Sequence, residues 1–62
     1  MTDKERLDLI KEMVKYRAKH NLSMLKFAQI AGIGVQTVFN IENSKTMPTR
    51  IVAQKIRNII GE

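Results

Sequence analysis

The amino-acid sequence predicts an all-α fold, a compact bundle of four or five short helices, and three observations favour it. Apolar residues recur at helical intervals in four segments, each bounded by residues that commonly start or end helices. β-branched residues alternate with polar ones over no stretch long enough for a strand. The chain has 62 residues and no cysteine, so a disulfide or a thiolate zinc site cannot stabilise it, and compact helix packing remains.

The first predicted helix begins at a capping box and ends near Asn21. Thr2 and Glu5 have the spacing at which each side chain binds the backbone amide of the other residue. An asparagine such as Asn21 suits the turn that follows a helix. The predicted inward face consists of apolar residues at helical intervals, widened by two more: Leu7, Ile10, Val14 and Arg17 or Ala18, with Leu9 and Met13.

The second predicted helix is capped by Ser23 and ends at Gly32. A serine hydroxyl accepts a hydrogen bond from an amide of the first turn. Glycine adopts the left-handed conformation of a helix end without strain. The inward face is predicted to consist of small and apolar residues, with one aromatic side contact: Leu25, Ala28 and Ile30 or Ala31, with Phe27 at the side.

The third predicted helix runs from about Val35 to Asn43 and has two different faces. Val38 and Ile41 are spaced to lie inward. The polar and aromatic residues between them fall on the other side, which leaves that side free for a ligand.

A polar loop and a fourth helix complete the chain. Pro48 prevents the helix from extending backward, and Thr49 can cap it. Gly61 ends the helix. Its apolar stripe is predicted to be built from isoleucine and valine at helical spacing: Ile51 or Val52, Ile56, and Ile59 or Ile60.

The segment that joins the second and third helices meets the constraints of a helix-turn-helix, in which two helices cross over a tight turn. Ala28 supplies the small residue where the helices touch, and Gly32 follows four residues later at the turn. Ile33 plugs the turn, while Val38 and Ile41 tie the later helix to the core. Five constraints met at fixed offsets are a moderately specific signal.

On these residues, the sequence resembles the lambda-repressor-like helix-turn-helix family, the Cro/C1-type repressors, from about Leu7 to Gly61. Residues 22–33 resemble the second helix of that family, and residues 35–43 resemble its recognition helix. Residues 42–45 resemble the loop that closes the recognition helix, and residues 47–49 resemble the approach to the fourth helix. The resemblance implies a transcriptional regulator of repressor type that binds double-stranded DNA.

The resemblance implies a single DNA-binding domain, residues 1–62, with the helix-turn-helix at about residues 24–43. The implied base-reading residues lie at the start and on the exposed face of the third helix: Val35, Gln36, Phe39 and Asn40. Gln36 and Asn40 are one turn apart, and a planar amide can pair bidentately with adenine. Val35 and Phe39 would contact thymine methyl groups. Exposed amides outside such a motif are more often simply solvated.

The resemblance also implies residues that position the domain without reading sequence. The phosphate-binding candidates flank the third helix: Ser23, Thr37, Asn43, Lys45, Thr46 and Arg50. Arg17 and Glu42 are expected to form a partly buried structural salt bridge. Two residues depart from the family pattern, since Met24 replaces a frequent glutamine and Gly34 replaces a frequent serine or threonine cap.

The charge distribution favours a polyanionic partner. The formal net charge is +5, and most acidic residues lie within residues 1–12, so the basic excess lies beyond the first three helical turns. Many small domains are basic without binding nucleic acid, and charge alone leaves that alternative open.

The expected partner is double-stranded DNA. Two copies of the chain are expected to bind DNA as a homodimer, and the free protein is expected to be a weak dimer or a monomer. The dimer seam is placed at the exposed part of Ile51, Ile59 or Ile60. No apolar run approaches the roughly 20 residues that span a bilayer, and no signal peptide is present, so a cytoplasmic protein without membrane contact is expected. One histidine without cysteine predicts no metal, and no cofactor or small-molecule ligand is expected.

Three other classes of function compete with DNA binding. A protein–protein interaction module on the same fold, anti-repressor or antitoxin-like, would use Phe39 as its anchor. The lysine retained near the loop after the third helix disfavours it, because interaction surfaces deplete lysine. A membrane-surface helix needs no turn signals. An enzyme is disfavoured because the sequence offers no nucleophile with its base and orienting group.

Overall fold

The computed structural model describes residues 2–61, and this part of the chain contains four α-helices. They are α1 (Asp3–His20), α2 (Met24–Ala31), α3 (Val35–Glu42) and α4 (Arg50–Ile60). The predicted all-α class is therefore confirmed, with four helices among the described residues and no fifth. The predicted domain also includes residues 1 and 62, which lie outside the described part. None of the four helices is both long enough and apolar enough to cross a membrane.

Three helices begin at a hydroxyl side chain, as the sequence predicts. Thr2, Ser23 and Thr49 each accept a hydrogen bond from the amide three residues later, at 3.1, 3.1 and 3.2 Å. The amide of Thr2 also donates to Oε1 of Glu5 at 3.0 Å, which completes the capping box. The backbone amide of Thr2, followed by its side chain, lowers the pKa of the Glu5 carboxyl, because both favour the charged form. Gly34 starts α3 without a side-chain cap.

Three helices end in Schellman-type turns, in which two successive amides bond back to carbonyls of the last turn. Each turn contains one left-handed residue: Asn21 with φ 55°, Gly32 with φ 73° and Ser44 with φ 57°. In each, the amide of the next residue donates to the carbonyl five residues before it, at 2.8, 3.0 and 2.8 Å. Asn21 and Gly32 are the turn residues that the sequence predicts. The use of Ser44 is not predicted.

The hydrophobic core lies between all four helices. α2 packs mainly against α3, and α1 packs mainly against α4. Val38 and Ile41 of α3 are completely buried, which confirms the predicted inward face of that helix. The buried apolar side chains are Leu9, Met13, Phe27, Ala28, Ala31, Val38, Ile41, Ala53 and Ile56.

The predicted inward face of α1 is right in part. Leu9 and Met13, predicted to widen the stripe, are buried, and Ile10 packs half-buried against the core, but Leu7 and Val14 are 49% and 45% exposed. The helix carries two overlapping apolar stripes at helical spacing, and packing against α3 and α4 selects one of them. Met13 lies one turn before Arg17, so burial of Met13 also turns the arginine towards α3.

The predicted inward face of α2 also needs correction. Leu25 and Ile30 are 54% and 49% exposed, while Phe27 is completely buried instead of lying at the side. An aromatic ring removes more apolar surface from water than a leucine does, so the orientation that buries Phe27 is favoured. Its ring packs edge-on against Tyr16, with the ring centroids 6.1 Å apart. Ala28 is buried as predicted, and of the two alternatives Ile30 and Ala31 it is Ala31 that is buried.

The predicted stripe of α4 is largely confirmed. Ile56 is buried and Val52 is half-buried, whereas Ile51 is 70% exposed. Ala53, which the prediction omits, is also buried, because it lies one turn before Ile56 on the contact surface.

Candidate nucleic-acid interface

The turn between α2 and α3 sets the angle at which α3 leaves the core. Gly32 has φ 73°, and a Cβ at this position would meet no heavy atom within 4 Å. Glycine is therefore favoured by the backbone conformation and not by a lack of space. The amide of Ile33 donates to the carbonyl of Ala28 at 3.0 Å, and the Ile33 side chain packs against the core. Ala28, at 1% exposure, lets the two helices approach.

The outer face of α3 carries the four residues predicted to read bases. Val35 and Phe39 are 43% and 38% exposed, and Gln36 is exposed as well. Asn40 is half-buried. Because Val38 anchors the opposite side of the helix, these four side chains are presented together on one face. We call this set of four residues the outer face of α3.

Two amides on the outer face are joined to each other. Nε2 of Gln36 donates to Oδ1 of Asn40 at 3.1 Å across one helical turn. Each amide group has two N–H donors and an oxygen that accepts two hydrogen bonds. The contact therefore leaves Oε1 of Gln36 and the Nδ2 group of Asn40 available to a ligand, while it reduces the number of rotamers that both side chains sample.

An aromatic ring and a cation meet at the C-terminal end of the outer face. Nζ of Lys45 lies 5.1 Å from the centroid of the Phe39 ring, which is within cation–π distance. Nδ2 of Asn43 donates to the backbone oxygen of Phe39 at 2.8 Å, so this side chain caps the end of its own helix. The left-handed turn at Ser44 directs the chain back across the helix end. The sequence gives no direct signal for the contact between Phe39 and Lys45, because it depends on that turn.

The structure brings Arg17 of α1 and Glu42 of α3 together as a bidentate ion pair. Nε and Nη2 of the arginine donate to the two carboxylate oxygens at 3.0 and 2.7 Å. The arginine and glutamate side chains are 19% and 5% exposed. Nη1 of Arg17 also donates to the carbonyl oxygen of Leu22 at 3.4 Å. The pair fastens the last turn of α3 to α1.

The remaining phosphate-binding candidates surround α3. Ser23 begins α2, where its hydroxyl is already a cap acceptor. Thr37 is half-buried in α3, Thr46 is exposed in the following loop, and Arg50 is exposed in the first turn of α4. These groups thus come from the start of α2, from α3 itself, from the loop after it and from the start of α4.

A groove between α1 and α4 carries more negative than positive charge. Its volume is about 390 Å³, and Leu9 and Ile60 contribute apolar surface to it. Glu5, Asp8 and Glu12 also line it. Arg57 lines the groove as well, but the three carboxylates outnumber this one cation and repel a phosphate backbone, so the groove is a poor candidate for binding nucleic acid.

The tight glycine turn, the buried inner face of α3 and its solvent-accessible outer face define the class of domain: a helix-turn-helix. A helix-turn-helix family profile matches residues 13–62, which includes α2, α3, α4 and the second half of α1. The chain belongs to the lambda-repressor-like, Cro/C1-type helix-turn-helix family. This is a family of DNA-binding transcription regulators, and its members are generally not enzymes. No curated protein and no solved structure matches the chain.

Proposed function

We propose that this protein is a sequence-specific regulator of repressor type that places α3 in the major groove of double-stranded DNA. The observation that carries the proposal is the outer face of α3, where hydrogen-bonding amides and apolar side chains stand opposite a completely buried inner face. The major groove of B-DNA, about 12 Å wide, admits an α-helix. It also presents the acceptors, donors and methyl groups that such a face can distinguish.

The two kinds of side chain on the outer face suit different parts of a base pair. Gln36 offers an acceptor and a donor in one plane, which matches N6 and N7 of adenine. Asn40 keeps its Nδ2 donors for a neighbouring acceptor. Val35 and Phe39 supply exposed apolar surface for thymine methyl groups. An operator half-site rich in A·T pairs is therefore favoured.

Phosphate contacts would fix the position of α3 in the groove without reading sequence. Ser23, Thr37, Asn43, Thr46 and Arg50 are the proposed contacts, and the net charge of +5 supports attraction to the DNA backbone. Lys45, the sixth phosphate-binding candidate, lies with its ammonium group against the ring of Phe39 on the outer face of α3.

We propose that two copies bind adjacent half-sites, separated by about 34–36 Å as in other helix-turn-helix dimers. Ile51 is 70% exposed on α4, next to Arg50 and Lys55. It is the proposed contact between the copies, because Ile59 and Ile60 are already half-buried against the core of their own chain.

The first test is an amide chemical-shift titration with a random-sequence duplex at low and then moderate salt. We expect shifts in residues 23–24 and 34–46 that fade with salt. If about four to six phosphates are neutralised, the slope of log K against log salt is expected near −4 to −5. If those amides do not move at low salt, the DNA-binding proposal fails, and a protein–protein interaction module on the same fold replaces it.

The chain contains a matched control for the role of the Gln36 and Asn40 pair. On α4, Nε2 of Gln54 donates to Oδ1 of Asn58 at 2.9 Å, with the same residue types and the same spacing. Gln36→Ala is expected to reduce discrimination between operator and random DNA by about 5- to 100-fold, the usual value of one bidentate base contact. Gln54→Ala is expected to leave it unchanged. Equal effects of the two substitutions would contradict base reading by α3.

A further inference from the structure

Lys45 lies over the outer face of α3, although the sequence places it in the loop after the helix. Its amide donates to the carbonyl of Asn40 at 2.8 Å, and Ser44, with φ 57°, turns the chain back across the helix end. Its ammonium is 5.1 Å from the centroid of the Phe39 ring. The cation is thus associated with a residue of the outer face.

We propose that Lys45 reads a guanine base instead of a phosphate, an inference that rests on the function proposed above. Phe39 is on the face that would enter the major groove, and the ammonium lies against the ring of that residue. The major-groove edge of guanine presents two acceptors, O6 and N7, to which lysine is a common donor. Lys45 would bind guanine at the base pair next to the one that Phe39 contacts.

Phe39 is a positioning residue, because its ring holds the ammonium group of Lys45 in place. A free lysine side chain samples many rotamers, and ordering it on a ligand has an entropic cost. Attraction between the ammonium and the face of the ring restricts that sampling before DNA binds. A phosphate contact needs no such restriction, since a phosphate accepts a cation from a wide range of directions. The proposal therefore predicts that the aromatic character of residue 39 affects recognition of guanine.

The experiment starts from an operator selected by the wild-type protein from random duplexes, followed by affinity measurements on every single base-pair substitution. Lys45→Ala is expected to reduce the preference for guanine at one position by about 10-fold and to leave preferences elsewhere intact. Lys45→Arg is expected to retain the guanine preference. Phe39→Leu is expected to weaken the preference at that guanine, and Phe39→Tyr, which keeps an aromatic ring, is expected to preserve it.

Arg50→Ala is the control for a cation that contacts phosphate. It is expected to weaken binding about equally for all sequences and to make the salt slope shallower by about 1. If Lys45→Ala behaves in the same way, or if the selected operator contains no guanine that responds to residue 45, Lys45 is not a base-reading residue. Wild-type protein that selects no sequence contradicts the proposed function itself. Lys45 is exposed, so every variant at this position is expected to melt within a few degrees of the wild type.

Discussion

The two ends of α3 are stabilised by different means. At its start, the chain turns on a glycine, Gly32, and the helix begins at Gly34 without a side-chain cap. At its end, Glu42 forms a bidentate ion pair with Arg17 of α1, and the left-handed residue of the turn is a serine, Ser44. The start thus has an unstrained backbone and no polar anchor, whereas the end has a polar anchor and a strained backbone.

The ion pair lies at the end of α3 that also carries the contact between Phe39 and Lys45 and the hydrogen-bonded amide of Asn40. Phe39 and Asn40 lie in the last turn of α3, which Glu42 ends, and Lys45 follows in the loop after it. Base reading requires side chains to be held within a fraction of an ångström, and side chains on a fixed element meet that requirement better than mobile ones. We infer that the ion pair holds the end of α3, while apolar packing is sufficient at the start.

The largest expected effect comes from breaking the anchor. Glu42→Ala would leave the guanidinium of Arg17, 19% exposed, without its carboxylate partner. Removal of one partner from a buried pair typically costs about 3–5 kcal/mol, and partial exposure of the arginine sets the expected loss near 3 kcal/mol. This is a large share of the roughly 3–9 kcal/mol typical of a domain this small. Urea denaturation monitored by circular dichroism measures the loss.

Two controls test whether the loss arises from the unpaired arginine. In the double variant Arg17→Met and Glu42→Leu, apolar side chains replace both charges, and most of the stability should return. Asp3→Asn removes the pair between Arg6 and Asp3, whose charged atoms are 3.7 Å apart and whose carboxylate is 82% exposed, and should cost less than about 1 kcal/mol because water solvates the carboxylate. An unchanged melting temperature for Glu42→Ala would mean that the pair contributes no stability.

An effect of intermediate size and opposite sign is expected at Ser44. Its φ of 57° disfavours a side chain by about 1–2 kcal/mol. Glycine removes that strain but loses more backbone entropy on folding, by roughly 0.5–1 kcal/mol. Ser44→Gly is therefore expected to raise the free energy of unfolding by about 0.5 kcal/mol, measured as a shift of the urea midpoint without a change in slope.

The reverse exchange at the other end of α3 is the matched control. Gly32→Ser places a side chain at φ 73°, where its Cβ would meet no heavy atom within 4 Å. Any loss must therefore come from the backbone conformation, and the same difference between strain and glycine entropy sets the expected loss at about 0.5 kcal/mol. Opposite signs at the two positions would confirm that conformation controls both turns. A destabilised Ser44→Gly variant would show that the serine makes a favourable contribution which outweighs its strain.

The features that the sequence predicted correctly are those set by local chemistry. Hydroxyl caps at Ser23 and Thr49 depend on residues within one turn, and so does the glycine turn at Gly32. The inward face of α3, formed by Val38 and Ile41, was also predicted correctly, since the polar Gln36 and Asn40 mark the opposite side of this short helix. Residue type and sequence spacing are therefore sufficient to predict the caps, the turn and the inward face of α3.

The features that the sequence did not predict depend on contacts between distant segments. α1 offers two apolar stripes, and only packing against other helices selects the one with Leu9 and Met13. The contact between Lys45 and Phe39 follows from a left-handed serine, and serine is not a residue that signals this conformation. The grouping of four exposed residues on one face of α3 was therefore predictable from the sequence, whereas the contact on which the proposed role of Lys45 rests required the structure.

The smallest expected effect is at Gly34, where the start of α3 can acquire the cap that it lacks. The backbone has φ −73° and ψ 147°, the extended conformation of an ordinary N-cap residue. A Cβ would meet only Oγ1 of Thr37, at 3.6 Å, which is a normal contact. Gly34→Ser should therefore fit and stabilise the protein by a few tenths of a kcal/mol, about the difference between serine and glycine caps.

Gly34→Ala is the control that separates two contributions to stability, the hydrogen bond of the serine cap and the reduced freedom of the unfolded chain when glycine is replaced. Alanine has no hydroxyl, so it restricts the unfolded chain without supplying a hydrogen bond, and Gly34→Ser should exceed it in urea midpoint. Equal midpoints for the two variants would mean that water already satisfies the first amides of α3 as well as a hydroxyl does. In that case the start of α3 needs no anchor beyond the packing of Val38 and Ile33.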